Sequence, residues 1–339
     1  MLIVAALTVL FLFLAAWAHD AVLRRRIKQA LPRQGQFIET PQAHLHVLST
    51  PQNPASDTAF VLIHGSSSSS YDMHLAWADK LSAHGTVLSF DRPGIGLSRL
   101  KTSWRNGLRK ASQAMSHPGA QADELHHGVR QMGFKKIIVM GHSWGGSVAM
   151  AYAQRHGKEI DGAVIVAAPL YPWEGRSSWY NYLVTAPFIG RLFAHVMLTK
   201  YALPQLQKNV QATGYPEKVP DNYVVDAAIA LVLFPAAFIT NAIYAIALKD
   251  HLADMQSAYD AFDTPLILIG GDRDQTVFTK RNSNRFQAAY PASEMIYLRQ
   301  VGHMLHHTQA DIIVEAARRL ADGEGVRAGL HDTPAQQTS

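Results

Sequence analysis

Short apolar runs bounded by glycine, proline or aspartate recur along the chain: Ala59–Ile63, Thr86–Phe90, Ile137–Met140, Ala163–Ala167, Leu266–Ile269 and Met295–Leu298. Runs this short and this rich in Val, Ile and Leu read as strands buried on both faces of a parallel sheet. Between them the period changes to that of a helix. Ala122, Leu125, Val129 and Met132 keep one apolar face from Gln121 to Gln131, Val148 to Gln154 continues a helix after a glycine-rich turn, and Ile312, Ile313, Ala316, Ala317 and Leu320 mark a final amphipathic helix. Upstream, Gln36–Glu39 and His44–Leu48 alternate in polarity, which predicts an opening pair of strands. The pattern as a whole predicts an α/β fold: a mostly parallel central sheet with helices on both faces.

The alternation stops between Tyr171 and Asp263. That stretch is aromatic-rich, helix-like and broken by Pro187, Pro204, Pro216, Pro220 and Pro235. It predicts a helical cap at residues 171–262, inserted between core segments 34–170 and 263–322. The polar tail, Gly323–Ser339, is expected to be disordered.

Residues 1–33 stand apart. Leu2–Ala18 carries no charge and one polar residue, Thr8, and as a helix it would rise roughly 25 Å, the short end of a membrane span. Ala16-Trp17-Ala18 resembles a signal-peptide cleavage site, which would give a secreted or periplasmic protein. Against that, no Lys or Arg precedes the apolar run, and Arg24-Arg25-Arg26 follows it. Basic flanks stay cytoplasmic, so the expectation is an uncleaved single-pass N-terminal transmembrane helix with the catalytic domain in the cytoplasm and membrane lipid as a partner.

Composition narrows the chemistry. With 339 residues, 48% hydrophobic and 17% charged, the chain can bury a large core. The absence of cysteine excludes disulfides, thiolate zinc sites and a cysteine nucleophile. The net charge of +5 is concentrated in Arg24, Arg25, Arg26, Lys28 and Arg33, set against Asp20 alone, which is a membrane flank and not a nucleic-acid footprint.

One hexapeptide carries the strongest chemical signal: Gly141-His142-Ser143-Trp144-Gly145-Gly146, after an apolar strand and before a helix. A strand turning sharply into a helix strains the serine and leaves no room for neighbouring side chains, so glycines flank it. The hydroxyl then projects at a helix N-terminus, where backbone N–H groups favour developing negative charge. A serine nucleophile needs a base and an acid to orient that base. His303, in Val301-Gly302-His303 after the last strand, is the candidate base; Asp272 and Asp274, in Gly270-Gly271-Asp272-Arg273-Asp274, compete for the acid. His306 and His307 are rivals to His303, read as wall residues; a zinc site built from the three lacks a carboxylate. His64-Gly65-Ser66 follows the strand Ala59–Ile63, so the N–H groups of Ser66 and Trp144 are candidate oxyanion donors. Ala227–Leu248 is apolar enough to mimic a second span. A span there would part Ser143 from His303, so Pro235 and Asn241 are read within two packed cap helices.

These pieces, with Asp91-Arg92-Pro93-Gly94-Ile95-Gly96-Leu97-Ser98, make the chain from Gln36 to Ala321 resemble the α/β-hydrolase superfamily, in its cap-bearing branch. In that family the acid sits third after the glycine, which implies Asp274. The Asp91–Ser98 turn is usually structural there. The chain departs from the family in two places. Serines follow His64-Gly65 where the family often has Gly-Pro or Gly-Gly, and the Arg99–His117 loop is long and basic, with Arg99, Lys101, Arg105, Arg109 and Lys110. That loop reads as a solvated surface, or as a contact for anionic lipid headgroups. The resemblance implies cleavage of a small-molecule carboxylic ester or thioester through Ser143, His303 and Asp274, with no metal or organic cofactor. Epoxide hydrolases and haloalkane dehalogenases of the family need an aspartate where Ser143 stands. Alternatives on the same three residues are a cofactor-free haloperoxidase or perhydrolase and a C–C bond hydrolase; a non-catalytic binding member is a third. The cap aromatics Trp173, Trp179, Tyr180, Phe188 and Phe193 point to a hydrophobic acyl or alkyl group.

Overall fold

In the computed structural model, residues 2–336 are described apart from 33–34, 103–106, 188, 197–201 and 261. The apolar runs become neighbours in one ten-stranded sheet. Its strands are β1 (Gln36–Glu39), β2 (Ala43–Ser49), β3 (Thr58–Ile63), β4 (Thr86–Phe90), β5 (Arg99–Leu100), β6 (Lys136–His142), β7 (Gly162–Val166), β8 (Leu266–Gly271), β9 (Glu294–Arg299) and β10 (Gly329–Pro334). The order is β1-β2-β4-β3-β6-β7-β8-β9-β10, with β5 pairing β2. β2 pairs antiparallel with β1, β4 and β5; from β4 along the order through β3 to β10 every pairing is parallel.

The helices are α1 (Leu2–Gln29), α2 (Ser70–Leu81), α3 (Leu108–Ala114), α4 (Pro118–Arg130), α5 (Trp144–His156), α6 (Trp179–Thr185), α7 (Ile189–Val196), α8 (Leu206–Gly214), α9 (Tyr223–Asp226), α10 (Pro235–Met255), α11 (Ser283–Ala289), α12 (Leu305–Thr308) and α13 (Ala310–Ala321). Successive strand side chains point to opposite faces. Ala59, Val61, Ile63, Val139 and Ile165 join one core with residues of α4, α5 and α10. Phe60, Leu62, Ile138, Met140, Val164 and Ile269 join the other with residues of α2 and α13. Both faces are covered, which is why the strand sequences show no polar alternation.

Helices α6 to α10 lie between β7 and β8, where the alternation stops. Ala227–Leu248 is not two helices: a short 3-10 turn, Ile229–Leu233, precedes the single helix α10. Pro235 occupies the first turn of α10, where its missing N–H costs nothing, so it starts that helix and does not break it. The tail expected to be disordered instead adds β10, parallel to β9 at the sheet edge.

Residues 2–29 form one helix, and Ile27 and Leu31 pack against a small cluster of Leu48, Tyr71, Ala228 and Leu231. Among the described residues no helix is long and apolar enough to cross a membrane, so the expected transmembrane span gains no support.

Candidate active site

The turn from β6 into α5 places Ser143 at φ +52°, ψ −124°, a conformation that a side-chain-bearing residue adopts only under strain. The flanking glycines have a steric cause: a Cβ on Gly145 would collide with the Ile63 carbonyl, and one on Gly141 with the Gly145 carbonyl. The strain is held in place by the Ser143 N–H, which donates to Val166 O at 2.8 Å.

His303 follows β9 and Asp274 follows β8. Ser143 Oγ lies 3.0 Å from His303 Nε2, and His303 Nδ1 lies 2.8 Å from Asp274 Oδ2. The other oxygen of Asp274 accepts the N–H groups of Thr276 and Val277 at 2.8 and 2.7 Å, which fixes the carboxylate. All three side chains are buried: Ser143 is 9% exposed, His303 4% and Asp274 4%. Asp272 takes a different part. It accepts the Gln300 N–H at 2.6 Å and lies near Arg273 and Arg299, away from the imidazole.

The turn after β3 passes beside the serine: a Cβ on Gly65 would stand 3.2 Å from Ser143 Cβ. Arg92, fully buried, holds this turn from behind. Its guanidinium donates to His64 O at 3.1 Å and to Gly65 O at 3.0 Å, and it lies 4.4 Å from the Trp144 ring. A trans peptide points its N–H opposite its carbonyl, so tying Gly65 O to Arg92 turns the Ser66 N–H away from it. His64 completes the support: its Nδ1 bonds Gly65 O and its Nε2 accepts the Arg92 N–H, which makes Nδ1 the protonated nitrogen. Burial, then the Arg92 charge, pulls its pKa down to about 4, so it is neutral. Among the described residues neither the Ser66 nor the Trp144 N–H donates to a protein acceptor.

The inserted segment reaches the same loops. Asn241 on α10 accepts from Ser66 Oγ at 3.1 Å and Ser67 N at 3.3 Å, beside the strained Ser67 at φ +55°. Glu217 accepts the Gly302 N–H at 2.9 and 3.0 Å, next to His303. Tyr223 donates to Asp72 Oδ1 at 2.7 Å. His307 Nε2 lies 2.7 Å from the same oxygen and His306 Nε2 3.4 Å, so the carboxylate absent from the sequence-level histidine cluster is Asp72, and His303 is not part of the group. Burial pushes the Asp72 carboxyl up, but His306 and His307 outweigh it and hold it well below the usual range. Its oxygens are already engaged by hydrogen-bond donors, the signature of a polar network. Arg92 stands in the Asp91–Ser98 motif but its role there was not legible, and no spacing rule flags Asp72, Glu217 or Asn241, most of whose partners lie far away in sequence.

The model of the alpha/beta hydrolase family matches residues 60–316. The chain belongs to that family. As a hydrolase it is 24% identical to Lipase 3 of Moraxella sp. (strain TA144) over 282 residues, covering 80% of this chain and 77% of that one. A proline iminopeptidase of Saccharolobus solfataricus is 31% identical over 111 residues, 32% of this chain and 33% of its own length. Among solved structures, the epoxide hydrolase CorEH superposes with a TM-score of 0.66 at 17% identity, covering 86% of this hydrolase and 99% of that chain. A membrane phospholipase A superposes at 0.61 and 16% identity, covering 95% and 96%. At such identities these structures share the fold. Epoxide hydrolase, esterase and thioesterase structures all stand among the neighbours, so the reaction within the family rests on this hydrolase's own residues.

Trp179 and Tyr180 are 75% and 46% exposed and do not wall the serine; Phe188 lies outside the described residues. Trp173 instead lines a cavity of about 570 Å³ with Tyr171, Leu248, Val277 and Phe278, beside the loop that holds Asp274. Of the basic loop, Arg105 is outside the described residues, while Arg99 lines a larger cavity of about 680 Å³ that Ser143 does not line.

Proposed function

We propose that this enzyme cleaves a carboxylic ester or thioester by acyl transfer to Ser143. The observation that carries the reading is the chain of contacts at 3.0 and 2.8 Å from Ser143 Oγ through His303 to Asp274. Ser143 Oγ attacks the carbonyl carbon and its proton passes to His303 Nε2. Asp274 keeps the other proton on His303 Nδ1, which leaves Nε2 free to accept. The oxyanion takes hydrogen bonds from the Ser66 and Trp144 N–H groups. His303 then protonates the leaving oxygen or sulfur, and water, activated by the same imidazole, releases the acid. Serine at 143 argues against the epoxide and haloalkane reactions, which need a carboxylate there. The cavity of Tyr171, Trp173, Leu248, Val277 and Phe278, which Glu174, Arg281 and Arg285 also line, adjoins the Thr276–Val277 backbone that fixes Asp274, and its aromatic and aliphatic side favours a hydrophobic acyl or alkyl group. A series of p-nitrophenyl esters of rising chain length tests this. Turnover should favour the longer chains and vanish in Ser143→Ala; hydrolysis surviving that substitution would contradict the reading.

We further propose that the first helix anchors the enzyme to a lipid bilayer, with the catalytic domain on the cytoplasmic side. Support comes from Val4, Leu7, Phe11 and Leu14, exposed at helical spacing on an uncharged segment that precedes Arg24-Arg25-Arg26. Placing Glu at both Leu7 and Phe11 should release the full chain from the membrane fraction, since a charge in the bilayer costs about 3 kcal/mol or more. Retention of that variant after alkaline carbonate extraction would count against the anchor.

A further inference from the structure

A cavity of about 680 Å³ opens between the end of α1, β1, the 94–100 turn and the start of α10. Three cations from two distant parts of the chain, Arg24, Lys28 and Arg99, line it, and no carboxylate among the described residues does. Asp20, buried, pairs with Arg24 one turn back along the helix. Lys28 lies 5.4 Å from the Phe234 ring, and burial, then the Arg99 and Arg24 charges, pull its pKa below the usual lysine value. The rest of the wall is mostly apolar, with Leu31, Phe37, Leu97 and Phe234, and carries three further polar residues, Ser98, Thr102 and His195. Phe37 stays 56% exposed beside these charges.

Asp20 offsets the charge of Arg24, which leaves Lys28 and Arg99, brought together from distant parts of the chain, to repel one another at the cavity. A bound anion offsets the repulsion. The apolar wall adds a second requirement that a bare inorganic ion does not meet, since it gains only by covering carbon. The volume falls within the range of about 300–1,000 Å³ that holds small ligands. None of Ser143, Asp274 and His303 lines the cavity.

We propose that this cavity binds the anionic headgroup of a long-chain amphiphile, a phosphate or a carboxylate, on Arg24, Lys28 and Arg99, with the first carbons of the chain on Phe37, Leu97 and Phe234. The inference does not rest on the acyl-transfer reading, and it stands whether or not the first helix enters a bilayer.

Short-chain probes that stay monomeric test it by calorimetric titration of the full-length protein: hexyl phosphate, hexanoate, inorganic phosphate and hexanol. Hexyl phosphate or hexanoate should bind saturably and at least tenfold tighter than inorganic phosphate or hexanol, and added salt should weaken the binding. Whichever anion binds tighter identifies the source, a phospholipid headgroup or a free fatty acid. The double variant Lys28→Gln/Arg99→Gln should lose at least tenfold in affinity, the scale of one charge-assisted contact. Arg25→Gln/Arg26→Gln, which keeps the cavity wall intact, should bind as the parent does. A second variant, Phe37→Ser, should abolish the advantage of hexyl phosphate over inorganic phosphate, and it keeps the test open if the double variant fails to fold. Equal binding by the Lys28/Arg99 variant, an equal loss in the Arg25/Arg26 variant, or inorganic phosphate binding as well as hexyl phosphate would each overturn the proposal. The first of these would place the probe in the catalytic cleft, and the second would reduce the effect to general basic charge.

Discussion

Asp272 and Asp274 stand two residues apart on one loop and meet different partners. Asp274 touches the His303 imidazole and is pinned by two N–H groups, while Asp272 caps a surface turn. Asp274→Asn should therefore cost on the order of 10⁴ in kcat, by removing the group that holds the right tautomer. Asp272→Asn should leave kcat within a few-fold; ester turnover of the two variants side by side checks this. Asn241 acts one step further out, on the turn that carries the Ser66 N–H. A misplacement of about 1 Å at such a donor costs on the order of 10² in rate. Asn241→Ala should accordingly lower kcat with little change in KM, whereas loss of substrate binding would raise KM instead. Ser143 and its neighbouring glycines were legible in the sequence because a strained strand-to-helix turn demands them locally, and His303 because it follows Gly302 directly after an apolar strand. Asn241 was legible only as a cap residue, since its partner Ser66 lies 175 residues away, before β4.

Secondary-structure elements repeat that contrast. The central strands emerged almost unaltered, because burial on both faces leaves an unmistakable apolar run. β10 did not: Gly329–Pro334 is an exposed edge strand with polar residues, and composition alone makes it look like a tail. α2 was hidden behind the serine run, although Met73, Trp77 and Leu81 bury one face of it. Trp77 is fully buried and donates from its indole to His306 O at 2.8 Å, so it packs the helix after the Ser66 turn against the segment that follows His303. Trp77→Ala should cost about 3–5 kcal/mol of stability, the usual price of an emptied aromatic site, measured as a shift of the urea midpoint.

Across the whole molecule, chain ends of β6, β8 and β9 bring residues 143, 274 and 303 to one edge of the sheet, as ligand sites in open parallel sheets require. The insertion then closes over them through Glu217, Tyr223 and Asn241. The core around this edge also buries neutral histidines, which makes the fold sensitive to acid. Burial holds both His64 and His306 at about 4, against about 6.5 in an unfolded chain, and His142 is lowered in the same sense. Below pH 6.5 the unfolded chain takes up protons that the folded one refuses. Stability is therefore complete above that pH and declines toward pH 4, by about 2 kcal/mol per group at pH 5. Asp72, held below its unfolded value near 3.8, keeps its contribution across this window and loses it only at lower pH. The urea midpoint should fall between pH 7 and pH 5; a flat profile would contradict buried neutral imidazoles.

The central claim, that position 143 holds an activated nucleophile, is tested most directly by fluorophosphonate labelling followed by peptide mass spectrometry. A single adduct should appear on the peptide containing Ser143, disappear in Ser143→Ala and form far more slowly in His303→Ala. An unlabelled parent protein, or an adduct at any other residue, would contradict it.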